Sequence, residues 1–372
     1  MARRFTSLLR SPKLTSQLGV TLGIAIGICF VTGYLSHAIQ QPPWWFAWPS
    51  RPVNLYRVTQ GLHVATGLAL APLLSVKLWS VYPKLFRWPS LRDPVHALER
   101  VSLAVLVATA LFQVFSGILN IFRWYQPMSF FFTRAHYWTA WALAGSVLVH
   151  LGVKLPIVRR ALSTSPRREP VSGGLSRRGL LASVAAATGV ITLATVGQTV
   201  RPLASVSLLA PRDPRIGPQG LPVNKSAVSA GVVAMATDPG YRLELAGPAG
   251  VRTFSLADLN ALPQHTSQLP ITCVEGWSAN ALWSGVRIAD LVAAAGGDDT
   301  YQVYVVSMQQ GAYSQSTLAP PHARDPLTLL ALRLHGEPLH LDHGYPCRLI
   351  APNRPGVMQT KWVQRLVVER PT

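Results

Sequence analysis

The sequence predicts a multi-domain protein, with a bundle of membrane-spanning helices at the N-terminus and an α+β domain at the C-terminus. Runs of apolar residues long enough to cross a bilayer, which takes about 20 residues, occur at 18–39, 61–81, 97–122, 136–155 and 179–200. From residue 223 onward the chain changes to short alternating runs separated by Gly, Pro and Asp. The chain also combines 34 Lys+Arg and 15 Asp+Glu with 49% hydrophobic residues, so charged and apolar segments must be segregated.

The first four spans are expected to form a membrane domain over residues 1–158. Basic residues concentrate on the cytoplasmic side of membrane proteins. They are frequent on one set of flanks, at Arg3, Arg4, Arg10, Lys13, Lys84, Arg87, Arg92, Arg159, Arg160, Arg167, Arg168, Arg177 and Arg178, and sparse on the other, at Arg51, Arg57, Arg123 and Arg134. The pattern predicts a multi-pass protein of the cytoplasmic (inner) membrane, with its N-terminus cytoplasmic and its C-terminal domain extracytoplasmic.

The net charge of +19 is explained by this topology and by attraction to lipid headgroups. No zinc-finger, helix-turn-helix or RNA-binding signature accompanies the charge, so no nucleic-acid partner is expected. The Trp-rich stretch at 42–48 fits an interfacial aromatic belt on the outer side.

A basic linker is predicted at 159–178, followed by a fifth transmembrane helix at 179–200. At the end of the linker, the sequence Ser176-Arg-Arg-Gly-Leu-Leu181 precedes a mildly apolar Ala/Thr/Gly-rich run. This motif resembles an internal twin-arginine export signal. That pathway accepts folded cargo, which a cofactor-loaded domain would need. The alternative is a stop-transfer flank whose arginines follow the positive-inside rule. Residues 201–222 are Pro-rich and predicted to form an extended tether.

The C-terminal part, residues 223–372, is predicted to be a single α+β domain. Alternating runs at 241–246 and 302–307 indicate strands, and 288–295 indicates a short helix ended by Gly296 and Gly297. Three cysteines allow at most one disulfide, so no disulfide framework is expected. Cys29 lies within the first span, where it is expected to serve as a small apolar residue.

Histidines in the spans are the candidate ligands of the membrane domain, because ionisable side chains in a bilayer are costly. His136 and His150 in the fourth span are fourteen residues apart, which places them within roughly 40° of one helix face and about 21 Å apart. His63, or alternatively His37, lies at the depth of His136, and His96 lies at that of His150. Paired imidazoles are the axial ligands of low-spin b-type haem, although His37 and His96 also fit solvated headgroup contacts.

With these histidines and with Gly67, Gly117 and Gly145, the four-span domain resembles the cytochrome b561 type of membrane haem protein. The resemblance implies electron transport through one or two b-type haems, held by His63, His136, His150 and His96. The sequence departs from that pattern at Lys77, which stands fourteen residues after His63 where a second histidine is expected.

Two blocks carry the chemistry of the C-terminal domain, namely Ile271-Thr-Cys-Val-Glu-Gly-Trp-Ser278 and Asp342-His-Gly-Tyr-Pro-Cys-Arg348 with Thr360-Lys-Trp362. They resemble the molybdopterin domain of the sulfite oxidase superfamily, closest to the periplasmic methionine-sulfoxide reductase branch. The resemblance implies that Cys273 supplies a soft thiolate to molybdenum. It also implies that His343, Arg348, Thr360 and Lys361 bind the molybdopterin. A buried structural cysteine is the alternative for Cys273.

The substrate is expected to be a neutral sulfoxide or a similar oxo compound. Sulfite-oxidising members of the superfamily place an arginine shortly after the cysteine, whereas Glu275-Gly-Trp-Ser-Ala-Asn280 contains no cation. Trp277 fits either a pocket wall or the core.

The resulting expectation is a membrane-bound molybdenum-dependent oxidoreductase. Quinol, or another membrane donor, would reduce b-type haem, and the electrons would pass to an extracytoplasmic molybdenum site that reduces a small-molecule or protein sulfoxide. Two alternatives stay open. A dehydrogenase would run in the opposite direction, oxidising sulfite or another small substrate and reducing quinone. A non-catalytic membrane sensor would retain the fold alone.

Overall fold

The computed structural model describes residues 11–85, 94–163 and 176–371. The chain divides into two compact units. The first comprises Met1–Leu35, Gly61–Gly197 and Pro202–Pro211, and the second comprises Ser36–Gln60, Gln198–Arg201 and Arg212–Thr372. The second unit therefore includes the segment between the first two spans as well as the whole C-terminal domain.

Five long helices form most of the first unit: α1 (Pro12–Gln40), α2 (Leu55–Leu85), α3 (Pro94–Ile121), α4 (Phe132–Ser163) and α5 (Arg177–Thr195). Each contains a segment long and apolar enough to cross a bilayer. The five predicted apolar spans are confirmed as helices. The basic linker is described only at its two ends, because residues 164–175 lie outside the described part of the chain.

Small apolar clusters hold the helices of the first unit together. Leu14 and Leu18 of α1 pack with Leu73 of α2 and Val184 of α5. Lys77 of α2 donates a hydrogen bond from Nζ to the carbonyl oxygen of Thr15, at 2.6 Å. The residue that replaces an expected histidine therefore reaches the backbone of α1.

Two five-stranded sheets form the C-terminal domain. The first has the order β2-β1-β10-β5-β6, and the second has the order β3-β4-β7-β8 with β9 also paired to β7. All neighbouring strands are antiparallel except β1 and β10. The strands are β1 (Arg242–Gly247), β2 (Gly250–Ser255), β3 (His265–Thr272), β4 (Ser278–Arg287), β5 (Gln302–Ser307), β6 (Gln315–Leu318), β7 (Leu329–Leu334), β8 (Glu337–Pro338), β9 (Arg348–Ile350) and β10 (Val363–Glu369).

Short helices connect these strands: α6 (Ala227–Ala230), α7 (Val233–Ala236), α8 (Leu256–Ala261), α9 (Ile288–Ala294) and α10 (Pro320–Ala323). The predicted strand at 302–307 is confirmed as β5, whose inward residues Val303 and Val305 are fully buried. The helix predicted before Gly296 is confirmed as α9. The predicted α+β class is therefore confirmed for this domain.

The predicted tether at 201–222 is not extended throughout. Short 3-10 turns occupy Arg201–Leu203 and Pro218–Gly220. Leu221 is buried in the apolar cluster that includes Cys273, and Gln219 donates from Nε2 to the carbonyl oxygen of Pro338 at 2.9 Å. Residues from Arg212 onward thus belong to the second unit, because they bury apolar surface against it.

Gly285 marks a position where the two central strands of the second sheet leave no room for a side chain. A Cβ atom at Gly285 would lie 2.1 Å from the carbonyl oxygen of Leu330, beside a register shift in the pairing of β4 with β7. We expect Gly285→Ala to destabilise the domain by about 1–3 kcal/mol or more, because β7 must move. A thermal unfolding midpoint measures the effect. Ser284→Ala, next to it, should change the midpoint little, and equal midpoints for Gly285→Ala and wild type would contradict the packing described.

Candidate functional site

Cys273 lies in the tight turn between β3 and β4. Its N–H donates to the carbonyl oxygen of Trp277 at 2.9 Å, and the N–H of Gly276 donates back to the carbonyl oxygen of Cys273 at 3.0 Å. Gly276 has φ +92°, a conformation that favours glycine. The hydroxyls of Thr272 and Ser278, 2.9 Å apart, close the base of the turn. The cysteine is thus fixed at the end of a strand, with 3% of its surface exposed.

Asn224 holds the sulfur of Cys273. Its Nδ2 donates to Cys273 Sγ at 2.8 Å, while its Oδ1 accepts from Trp277 Nε1 at 3.1 Å and from Arg212 Nη1 at 2.5 Å. The two donors to Oδ1 fix the orientation of the amide, so the amide N–H₂ faces the sulfur. Sequence reasoning missed Asn224 and Arg212, since each lies in an irregular segment far from Cys273 along the chain.

The environment of Cys273 favours the protonated thiol when no metal is bound. Burial, and then the nearby Glu275 carboxylate, raise the pKa of Cys273 to about 12. A coordinated metal cation deprotonates a thiol outright, and a soft metal suits a thiolate. A buried, hydrogen-bonded and otherwise protonated sulfur therefore fits a ligand that becomes a thiolate on binding molybdenum.

Three predicted cofactor residues, His343, Arg348 and Lys361, lie together in the same unit. The Arg348 guanidinium donates to the carbonyl oxygen of His343 at 3.2 Å and stacks over the Trp283 ring at 5.3 Å. Lys361 Nζ donates to the carbonyl oxygens of Asp342 at 2.6 Å and Lys225 at 3.0 Å. His343 Nε2 lies 2.7 Å from the carbonyl oxygen of Pro218.

Gly344 allows this cluster to form. It has φ +108°, and a Cβ there would lie 3.1 Å from Lys361 Cα and Arg348 Cβ. Thr360, the fourth predicted cofactor residue, is buried with its hydroxyl 2.7 Å from that of Ser316. The structure gives Thr360 a bond to β6, and its role toward the cofactor stays a prediction.

The cluster carries positive charge that burial disfavours. Burial lowers the pKa of Arg348 to about 9, and burial followed by the charge of Arg348 lowers the pKa of Lys361 to about 7. The Nε atom of Arg348 has no hydrogen-bond partner among the described residues. A phosphate or pyrophosphate supplies both the missing acceptor and the missing negative charge. These residues therefore fit the anionic end of a molybdopterin.

Lys361 makes the stability of the cofactor-free protein depend on pH. Its folded-state pKa of about 7 lies below its ordinary value of 10.5, so the unfolded chain binds more protons above pH 7 and folding stability rises with pH. We expect the unfolding midpoint of cofactor-free protein to rise between pH 7 and 9 because of Lys361. Above pH 9 the buried Cys273 and Cys347, whose pKa values are raised, stay protonated in the folded protein while the unfolded chain loses their protons. They therefore lower the folding stability as the pH rises further. Lys361→Met should flatten the rise in that window, and an unchanged profile would contradict the assignment.

The segment between α1 and α2 also contacts this domain within the second unit. Arg51 donates to both carboxylate oxygens of Asp325, at 2.8 and 2.9 Å. Asn353 accepts from the N–H of Tyr56 at 2.6 Å, accepts from Trp48 Nε1 at 2.8 Å, and donates to the carbonyl oxygen of Pro49 at 2.7 Å. The structure gives the N–H of Trp48 a protein acceptor, and the predicted aromatic belt at 42–48 stays a prediction.

Other residues near the spans brace the turn of Cys273. Gln60 donates from Nε2 to the carbonyl oxygen of Val274 at 3.3 Å. Gln198 donates from Nε2 to the carbonyl oxygen of Glu275 at 3.4 Å. The hydroxyl of Thr199 donates to the carbonyl oxygen of Gly276. The backbone of the turn is thus held from two sides within the second unit.

In the first unit the structure brings His63 and His136 together, with ring centroids 6.3 Å apart. His63 Nδ1 lies 3.0 Å from the carbonyl oxygen of Cys29 and 3.3 Å from the hydroxyl of Thr32. His136 Nδ1 lies 3.2 Å from the hydroxyl of Ser116. A histidine ligand commonly uses one ring nitrogen for an orienting hydrogen bond and the other for the metal.

Two glycines stand next to these rings. A Cβ at Gly33 would lie 2.9 Å from His63 Cε1, and one at Gly117 would lie 3.8 Å from His136 Cε1. Gln113 also donates from Nε2 to the carbonyl oxygen of His136 at 2.7 Å. The pair, oriented through Nδ1 with Nε2 directed away from those bonds, fits axial ligation of a haem.

The other predicted haem residues are placed less completely. His150 lies further along α4 and is partly buried, and His37 lies near the end of α1. The side chain of His96, predicted to pair with His150, lies outside the described residues. The second haem stays a prediction.

Comparisons with known proteins identify the C-terminal domain. Residues 230–371 match the family described as oxidoreductase molybdopterin binding domain. The chain is 33% identical over 156 residues to mitochondrial sulfite oxidase of Drosophila melanogaster, which covers 34% of this chain and 27% of that protein. It is 32% identical over 129 residues to the proposed protein-methionine-sulfoxide reductase subunit YedZ1 of Azospira oryzae, covering 34% of this chain and 48% of that protein.

A third relative is the oxidoreductase YuiH of Bacillus subtilis, which is 32% identical over 111 residues, or 30% of this chain and 55% of that protein. The chain thus spans between about a quarter and about half of the relatives it matches. Residues 230–371 therefore form a molybdopterin-binding domain of the sulfite oxidase type.

Proposed function

We propose that this protein is a membrane-bound oxidoreductase that passes electrons from the quinol pool, through b-type haem, to an extracytoplasmic molybdenum site that reduces a sulfoxide or a similar oxo substrate. The observation that carries the proposal is the buried Cys273 turn, in the same domain as the cationic cluster of His343, Arg348 and Lys361. A metal ligand and an anion-binding cluster together match what a molybdopterin requires.

When bound, a molybdenum-pterin group supplies two-electron chemistry coupled to transfer of one oxygen atom. The protein's own residues bind and orient it. Cys273 offers the sulfur ligand, Asn224 fixes the direction of that sulfur, and the cationic cluster holds the phosphate. The low exposure of Cys273 and Trp277, 3% and 4%, excludes bulk water from the turn, which strengthens the electrostatic interactions there.

The membrane part supports an electron-transfer role. His63 and His136 offer two imidazoles, a ligand set that leaves a haem iron with no open position and favours electron transfer over oxygen chemistry. Because one chain would carry both centres, donor and acceptor would be present at high effective concentration. The similarity to the YedZ1 subunit is in keeping with this arrangement.

The proposed location is the cytoplasmic membrane, with the N-terminus inside and the molybdopterin domain outside. Five apolar helices and the distribution of Lys and Arg support it. Helix α5 begins with Arg177 and Arg178 after the capping residue Ser176, whose hydroxyl accepts from the N–H of Gly179 at 3.1 Å. Cations oppose the macrodipole at a helix N-terminus, so helix stability does not explain the two arginines. The positive-inside rule accounts for their side of the membrane, and their position before a mildly apolar run supports the proposal of a twin-arginine export signal.

The second candidate is a dehydrogenase that oxidises sulfite or another small substrate and reduces quinone. The similarity to a sulfite oxidase favours it. Both candidates use the same site with opposite electron flow.

The two directions are separated by a paired assay on the full chain in detergent, loaded with molybdenum. One assay couples a reduced quinol analogue to methionine sulfoxide or dimethyl sulfoxide, and the other couples sulfite to an oxidised quinone analogue. We expect turnover with sulfoxide and not with sulfite. Turnover with sulfite alone would establish the dehydrogenase, and no turnover in either assay by loaded protein would contradict both candidates.

A further inference from the structure

A second pair of buried basic side chains, Arg354 and His322, lies in the molybdopterin domain outside the cofactor cluster. Each residue is 4% exposed. Arg354 Nη2 donates to the carbonyl oxygen of Thr317 at 2.7 Å. Its Nη1 atom and the Nε2 atom of His322 are buried and have no hydrogen-bond partner among the described residues. Buried polar atoms are seldom left without a partner.

The charge of Arg354 is not compensated within the described residues. Burial lowers the pKa of Arg354 to about 9 and no carboxylate raises it, so the guanidinium remains charged at neutral pH. Its charge, after burial, contributes to lowering the pKa of His322 to about 3. Asp325, which also faces His322, is engaged in its two bonds with Arg51. A buried cation without a carboxylate partner is costly, and an incoming negatively charged oxygen would offset that cost.

The backbone that carries Arg354 runs beside Cys273. Pro355, the next residue, pairs with Thr272 in a parallel bridge. A Cβ at Gly356 would lie 3.7 Å from Cys273 Cα and 3.3 Å from the carbonyl oxygen of Thr272. The bonds of Arg354 go to β6, whereas those of His343 and Lys361 go to Pro218, Lys225 and Asp342. The backbone next to Arg354 therefore lies beside the end of β3 and Cys273, and the Arg354 side chain is bonded differently from the cofactor cluster.

We propose that Arg354, supported by His322, is a substrate subsite that binds an oxygen atom bearing negative charge. The inference rests on the proposed function and narrows its substrate class. The oxygen belongs either to an oxyanion, with a full charge, or to a sulfoxide, whose S–O bond is strongly polarised. Residues 274–280, directly after Cys273, contain no cation, and Arg354 provides one from a segment distant along the chain.

The test compares molybdenum-loaded wild type with Arg354→Gln and Arg354→Lys. Arg324→Gln is the matched control, because Arg324 is an exposed arginine of the same domain. Titration calorimetry measures the affinity for sulfate and for dimethyl sulfoxide, and elemental analysis with pterin quantification measures cofactor content. Loss of a charge-assisted hydrogen bond is expected to weaken binding by roughly 10-fold or more. Arg354→Lys should retain part of the affinity, and the control should retain all of it.

The probe whose affinity falls in Arg354→Gln identifies the chemical class of the bound oxygen. Weakened sulfate binding alone indicates an oxyanion, and weakened dimethyl sulfoxide binding alone indicates a sulfoxide. Unchanged affinities in Arg354→Gln, or wild type that binds neither probe, would overturn the subsite. If Arg354→Gln loses pterin but each loaded site keeps its affinity for both probes, the subsite is overturned and Arg354 instead contacts the cofactor. His322→Gln, which keeps the charge of Arg354, should weaken binding less than Arg354→Gln.

The same measurements separate this inference from the proposed function. Binding does not require turnover, so wild type that binds a probe through Arg354 but has no sulfoxide or sulfite activity would contradict only the proposed function. Wild type that turns over, with KM unchanged in Arg354→Gln, would contradict only the subsite.

Discussion

Replacing Cys273 by serine is expected to reduce substrate turnover to the background rate while the domain stays folded. A serine hydroxyl is a harder ligand than a thiolate and is far less acidic, so it does not provide the soft anionic donor that molybdenum prefers. The hydroxyl can still accept from Asn224, which bonds the sulfur at 2.8 Å in the wild type. Folding and the turn should therefore persist. The measurement is turnover per bound molybdenum, beside the haem absorbance of the same sample, which should not change.

Cys347→Ser provides the matched control for Cys273. Cys347 is also fully buried, and its sulfur lies 3.1 Å from the hydroxyl of Tyr241 in the apolar core of the domain. We expect Cys347→Ser to lower stability and to leave turnover per bound molybdenum close to that of wild type. Turnover retained by Cys273→Ser, or lost equally in both variants, would remove the ligand role of Cys273.

Replacing His63 or His136 by alanine is expected to remove one b-type haem and to uncouple the membrane from the molybdenum site. Both rings are held through Nδ1, by Cys29 and Thr32 on one side and Ser116 on the other. Reduced-minus-oxidised spectra should lose the same haem in both variants, quinol-dependent turnover should fall to background, and molybdenum content should remain.

The control for the histidine pair is His37→Gln, which changes the alternative histidine near the end of α1. It should retain the haem spectrum if His63 is the partner of His136. A full haem spectrum in His63→Ala, or loss of the same haem in His37→Gln, would contradict the pairing. Activity of the His63 and His136 variants with a soluble artificial donor distinguishes a lost electron path from a damaged molybdenum site.

Local pattern was sufficient to predict the five spans and a few elements of the C-terminal domain. The apolar spans, β5 and α9 each have a signal contained in a short window, because hydrophobic periodicity and glycines that end an element are local properties of the sequence. The motifs around Cys273 and Arg348 also predicted the type of cofactor domain. The direction of electron flow has no such signal, since one site serves both directions.

The contacts that complete the site were not predictable in the same way. Asn224 and Arg354 are polar residues in irregular segments, where no periodicity indicates which side chain they will meet. Asn224 contacts the Cys273 turn, and the segment before it, residues 212–222 of the predicted extended tether at 201–222, belongs to the same unit. The hydrogen bond from Trp48 to Asn353 joins residues 305 positions apart. The ion pair of Arg51 with Asp325 joins residues 274 positions apart. Only the folded structure brings such residues together.

In the proposed function, electrons pass from b-type haem bound by His63 and His136 to an oxo substrate at a molybdenum held by Cys273. The most direct test is to reduce the haem of purified, molybdenum-loaded protein with dithionite, remove the excess, and follow the haem absorbance after adding methionine sulfoxide. We expect reoxidation of the haem in wild type and none in Cys273→Ser. A wild-type haem that stays reduced, or one that is reoxidised equally fast in Cys273→Ser, would contradict it.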